Sequence, residues 1–245
     1  IMNPMKKILF ILFISLAIAQ NSNEEYLQLE LSKAVNDINS KKFNNAISRI
    51  DKNDFSNSIL SNHALVIKMK AFHGNGDLEK ALSVRKNISV HTLEPNLNTI
   101  YNIEMGDIFS EMGFFDKSFE YYLLANKSNI DSKSNKRINQ RFKKLVRMEL
   151  DEQQIGLLLL TEDNPKNINI LLLAKSFSMA RNNSTNLKDV FSSIDYNKLP
   201  RELRSSHRSL KKNISTNNSF GLKMGIVLPL TGPNSLQAKA FLSGL

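Results

Sequence analysis

Histidines, serines and carboxylates are the groups on which transfer, hydrolytic or metal chemistry would be built, and here they are scattered. The four histidines, His63, His73, His91 and His207, include no pair at metal-ligand spacing with a carboxylate. Cysteine is absent, which excludes a thiolate nucleophile, a thiolate zinc site and a disulfide framework. No G-x-S-x-G nucleophile elbow and no phosphate-cradling Walker loop is present. Gly74-Asn75-Gly76 precedes an acidic residue and a helical pattern, but it lacks a leading strand and a third glycine and so reads as a turn. Asn-x-Ser/Thr triplets such as Asn87-Ile88-Ser89 arise by chance in a chain with 30 asparagines. The expectation is no enzyme activity, no cofactor and no metal.

What remains is binding. The net charge is +10, concentrated in two stretches, Lys133 to Arg147 and Lys198 to Lys212, with His207 inside the second. These read either as a docking face for an acidic partner or wall polymer, or as the wet side of amphipathic helices. An apolar stripe of Ile138, Phe142, Leu145 and Val146 runs through the first and favours the helical reading. Nucleic acid is not the expected partner, because the first residues direct the chain out of the cytoplasm.

Those residues have the form of a targeting segment. Met5-Lys6-Lys7 gives a positive start, Ile8 to Leu16 is an apolar run too short to span a bilayer, and Ala17-Ile18-Ala19 supplies small residues for cleavage. The reading is a signal peptide over 1–19 with Gln20 as mature N-terminus, and a periplasmic or otherwise extracytoplasmic destination. No cysteine follows to carry lipid, so no stable membrane anchor is expected. The leading Ile1 suggests part of a longer reading frame.

Low Gly and Pro counts favour helices, and a repeat organises them. Lys42-Phe43-Asn44-Asn45-Ala46-Ile47, Gly76-Asp77-Leu78-Glu79-Lys80-Ala81-Leu82 and Gly113-Phe114-Phe115-Asp116-Lys117-Ser118-Phe119 align, with Ala46, Ala81 and Ser118 spaced 35 and 37 apart. Each unit reads as a helix pair. Gly76 and Gly113 cap a first helix in a left-handed conformation, an aromatic or Leu two positions on fills the gap, and a small residue three further lets the backbones approach. Leu65, Met69 and Phe72, then Ile103, Gly106 and Phe109, share the face of one helix. Asp163-Asn164-Pro165 predicts a helix start with Ile168 to Ala180 following, and Leu187 to Ile194 and Pro200 to Leu210 read as two more helices.

This pattern resembles the tetratricopeptide repeat. Gly106, Phe109, Gly113, Phe115 and Ala125 fall on that family's small and aromatic positions, while Lys41 stands for the turn glycine, Ser118 for the usual alanine, and Pro95 is displaced. The resemblance implies a helical solenoid over 20–212, presenting a concave surface to a protein partner.

Residues 213–220 are polar and read as a linker. Leu222 to Leu228 then forms a short apolar run closed by Pro229 and Gly232, with an apolar helical pattern from Ala238 to Leu245, so the chain reads as strand, loop and helix. Lys223 to Pro233, with Ala240-Phe241-Leu242-Ser243-Gly244, is similar to the opening of type 1 periplasmic binding proteins, the leucine-binding-like receptors of ABC importers. The fold expected is therefore mainly α, a tetratricopeptide-like solenoid followed over 221–245 by the first strand and helix of a truncated α/β periplasmic-binding domain. The resemblance implies an amino-acid-type ligand for ABC transport or sensing, with Thr231, Ser235 and Gln237 as cleft contacts. An exported repeat region ahead of such a domain is also similar to penicillin-binding protein activators, which implies the alternative of a periplasmic scaffold for a cell-wall synthase. The partners implied are an ABC permease or that synthase. Leu228-Pro229-Leu230-Thr231-Gly232 also fits a sortase signal, but it begins inside the predicted strand.

Overall fold

The computed structural model describes residues 23–127 and 132–216. The signal-peptide residues 1–19 and the strand, loop and helix expected over 221–245 lie outside the described residues. So do Thr231, Ser235 and Gln237.

The described chain is helical, and no strand occurs among the described residues. Residues 23–39 form α1. The helices that follow are α2 (Phe43–Asp51), α3 (Ser61–Gly74), α4 (Leu78–Arg85), α5 (Pro95–Glu111), α6 (Phe115–Lys127), α7 (Ser132–Leu145), α8 (Glu152–Thr161), α9 (Pro165–Arg181), α10 (Leu187–Ser192) and α11 (Arg204–Ser215). None of them is long and apolar enough to cross a membrane.

One turn recurs. Lys41, Gly76, Gly113 and Asn183 have φ of 59°, 84°, 80° and 52°, the left-handed region, and are separated by 35, 37 and 70 positions. At each, the next backbone N–H reaches back five residues: Lys42 to the Asp37 carbonyl at 2.7 Å, Asp77 to Phe72 at 2.9 Å, Phe114 to Phe109 at 2.9 Å and Ser184 to Met179 at 3.0 Å. This satisfies a carbonyl that the helix end would leave orphaned, and it folds α2, α4, α6 and α10 back on α1, α3, α5 and α9. The α7–α8 connection near Met148, where the same spacing would put another such turn, has no positive-φ residue.

The small residues do what close helix approach requires. Ala46, Ala81 and Ser118 have no exposed surface, and the Ser118 hydroxyl donates to the Gly106 carbonyl at 2.7 Å. The Phe43 ring, two positions after the first turn, sits between helices, where a Cβ on Gly74 would overlap it.

Three apolar clusters follow one another along the chain. The first joins α1, α2 and α3 through Leu27, Ala34, Ala46 and Ala71. The second uses the other side of α3 with α4 and α5, through Met69, Ala81 and Met105. The third, around Phe119, Phe142 and Leu171, runs from α5 to α11. Here α9 is the hub, packed against α8, α10 and α11. Its start is as the sequence predicts: Pro165 occupies the first turn, and the Asn164 side chain caps it by accepting from the Lys166 and Asn167 amides.

Several boundaries differ from expectation. The helix read over Pro200 to Leu210 starts at Arg204 and runs to Ser215, because its apolar positions Leu210 and Ile214 carry the stripe into the stretch read as linker. The Leu187 helix ends at Ser192, two residues short of Ile194. Helix α8 had no sequence reading. Its run of four leucines has no periodicity, and Leu157 and Leu160 remain exposed.

Candidate interaction surface

Two sets of polar contacts meet on α5. Glu104, Asp107 and Glu111 stand at i, i+3 and i+7, one face of a helix otherwise packed in apolar surroundings. Buried carboxylates are costly unless paired and hydrogen-bonded. Neighbouring helices supply the partners.

His73, near the end of α3, lies between two of these acids. Its Nδ1 meets a Glu104 carboxylate oxygen and its Nε2 is 3.1 Å from Glu111 Oε1. Burial alone would lower the His73 pKa, but the two carboxylates outweigh it and hold the group above the ordinary histidine value. With carboxylates on both nitrogens, the imidazolium is the form that satisfies both contacts.

Asp107 is the centre of the second set. Its side chain is only 2% exposed, and it accepts a hydrogen bond from the Tyr122 hydroxyl. Arg137 pairs with one carboxylate oxygen, and Arg141 Nε lies 2.8 Å from the other. Burial first, and then the Asp107 charge, raises the Tyr122 phenol so that it stays protonated and donates. Burial works against the Arg137 charge, but Asp107 raises the guanidinium pKa above its ordinary value. The two arginines are one helical turn apart on α7, and their side chains are 43% and 37% exposed. A guanidinium has five N–H donors, so each retains donors beyond its contact with Asp107.

Helix α7 is also gripped from α9. The half-buried Lys166 ammonium donates to Asn126 Oδ1 at 2.7 Å and to Asn135 Oδ1 at 2.8 Å. Burial lowers its pKa, and the Glu202 charge opposes this only in part. The α7 stripe read from sequence is the buried side of the helix: Ile138, Phe142 and Val146 have no exposed surface and Leu145 almost none. The other side carries the charge, with six Lys and Arg and no acid in fourteen residues. Chemically this is an anion-accepting face in which a buried carboxylate hydrogen-bonds one cation, Arg137, and ion-pairs with a second, Arg141.

Among the described residues, no group of three or more His, Cys, Asp or Glu could hold a metal ion. The sequence-predicted contacts Thr231, Ser235 and Gln237 lie beyond the description. The second basic stretch places His207 in the interior rather than on a surface. Sequence reasoning passed over Asp107, Glu104 and His73. The available signal was an acid pair, Glu104 and Asp107, flanked by Ile103, Met105 and Ile108 in an apolar helix.

No known family model, no curated protein and no solved structure matches this chain.

Proposed function

We propose that this chain is an extracytoplasmic docking protein whose helical array, of tetratricopeptide type, binds an acidic segment of a partner protein through α7. The observation that carries the reading is the pair of part-exposed guanidiniums, Arg137 and Arg141, that meet at the buried Asp107 on a helix without acids. A solvated charge face needs no such anchor, since exposed lysines and arginines gain little from fixed geometry. The left-handed turns at Lys41, Gly76, Gly113 and Asn183 support the repeat. The signal-like residues 1–19 support export, and the stretch from Lys223 to Pro233 supports a periplasmic-binding domain behind the array. A cell-wall synthase, as served by penicillin-binding protein activators, is the partner class that fits this order.

The test is binding of poly-L-glutamate to the full chain by calorimetry at low and high salt. Affinity should fall with salt and drop in Arg137→Gln/Arg141→Gln, with circular dichroism unchanged. Equal affinity for dextran sulfate or DNA would reduce the face to general anion exchange and sink the reading.

A second reading, an amino-acid receptor for ABC transport or sensing, is favoured by Lys223 to Pro233 and by Thr231, Ser235 and Gln237 in the loop expected to face a ligand. A thermal-shift panel of amino acids against the full chain tests it. No shift with any of them would count against it.

A further inference from the structure

The second basic stretch does not belong to the α7 face. It closes a cleft of about 700 Å³ between α10 and α11. Phe191, Ile194 and Tyr196 line one part of it and His207 another, with Lys188 from α10 and Lys211 from α11 among the lining residues.

His207 is 8% exposed and stacks on Phe191 with ring centroids 4.5 Å apart and planes at 22°. The Tyr196 ring lies 5.2 Å from it, and the Arg204 guanidinium lies 5.2 Å over Tyr196. The Nδ1 atom of His207 is buried with no hydrogen-bond partner. Burial first, then the Lys211 charge, lowers the His207 pKa, so the imidazole is a neutral part of the wall. No acid lines the cleft, and neither Lys188 nor Lys211 pairs with a carboxylate among the described residues. Two ammonium groups beside an apolar wall with no counter-charge give the cleft a positive potential, concentrated by its low-dielectric lining. Its volume lies within the range of about 300–1,000 Å³ usual for small-ligand sites.

We propose that this cleft binds a small amphipathic anion, with an apolar body against Phe191, Tyr196 and His207 and one carboxylate or sulfonate head between Lys188 and Lys211. A neutral apolar ligand would leave both ammoniums to water and gain nothing from them, and a bare inorganic anion would leave the aromatic wall uncovered. The ligand class is set by both halves together, and the site is separate from α7.

The probe is 8-anilinonaphthalene-1-sulfonate, read by fluorescence with the full chain, which has no tryptophan to interfere. The neutral analogue N-phenyl-1-naphthylamine is titrated beside it. The expected result is saturable binding of one sulfonate per chain, displaced by laurate but not by dodecanol. Lys188→Glu/Lys211→Glu should weaken the sulfonate about tenfold and leave the neutral analogue within about twofold. The control reversal Lys52→Glu/Lys86→Glu, at exposed positions outside both α7 and the cleft, should change neither. Lys188→Gln alone gives an intermediate loss and serves if the double reversal lowers the melting temperature. Absence of saturable binding, including through a cleft filled by another part of the chain, overturns the proposal. Equal losses in the two double reversals overturn it too, since net charge alone would then account for binding.

Discussion

Tyr122 occupies the space that a side chain on Gly106 would need: an added Cβ would lie 2.6 Å from Tyr122 Cε1. The ring has no exposed surface, and its hydroxyl is tied to Asp107, so it has nowhere to retreat. Gly106 thus lets α5 and α6 pack closely here, and the Ser118 bond to its carbonyl fastens the same place.

Gly106→Ala is therefore expected to destabilise. Alanine has the better helix propensity by about 1 kcal/mol, but overpacking beside a pinned ring costs about 1–3 kcal/mol. Urea unfolding should show a net loss. A gain in stability would mean that Tyr122 moves freely.

The left-handed turns give the opposite sign at Lys41. A side chain there bears a penalty that glycine avoids, and glycine gives back part of it through unfolded-state entropy, so Lys41→Gly should stabilise by about 0.5–1 kcal/mol. Gly113→Ala, at φ 80°, should destabilise by about 1 kcal/mol although nothing lies within 4 Å of the added methyl. Equal effects of either sign at the two positions would show that backbone conformation does not govern these turns.

Asp107→Ala removes the acceptor for Tyr122 and the counter-charge for Arg137 and Arg141. Severing a fully buried pair costs about 3–5 kcal/mol, but these guanidiniums are over a third exposed and can turn to water, so about 2–3 kcal/mol is expected. Chemical denaturation measures it. A loss no larger than that of an exposed acid such as Asp163→Ala would show that Asp107 anchors neither arginine.

His73 makes stability depend on pH. Its folded pKa is raised above the ordinary 6.5. Its contribution is therefore fully present below that value and is lost as pH rises through the folded pKa. The stability advantage of the native chain over His73→Gln should shrink as pH rises above about 6.5 and through the raised folded pKa. An advantage that grows across this range has the wrong sign and would separate His73 from Glu104 and Glu111.

Features set by local chemistry were legible in the sequence. Gly76 and Gly113 announced their turns, Ala46, Ala81 and Ser118 the close approaches, and Asn164-Pro165 a capped helix start. Asn183 was legible in principle, because asparagine tolerates the left-handed region, but it lies twice the repeat spacing from Gly113 and nothing marked the unit between. Features set across the fold were not legible. An aspartate at position 107 reads as solvated until Arg137, thirty residues on, is known to pack over it. Lys133 to Arg147 showed how much charge α7 carries, but not which of its cations are held. Ile214 looked like part of a polar linker because what covers it is the third apolar cluster, drawn from distant helices, and not its polar neighbours in sequence.

The interior is divided rather than shared. Helix α3 gives Ala64 and Ala71 to one cluster and Val66 and Met69 to the next, and α5 likewise divides Tyr101 and Met105 from Ile103. Such a chain has no single point of failure. It should unzip from the amino-terminal side, where four of the buried cluster residues are alanine, with amide protons on α1 and α2 exchanging long before those on α9. A partner gripping α7 would then be holding the part that opens last.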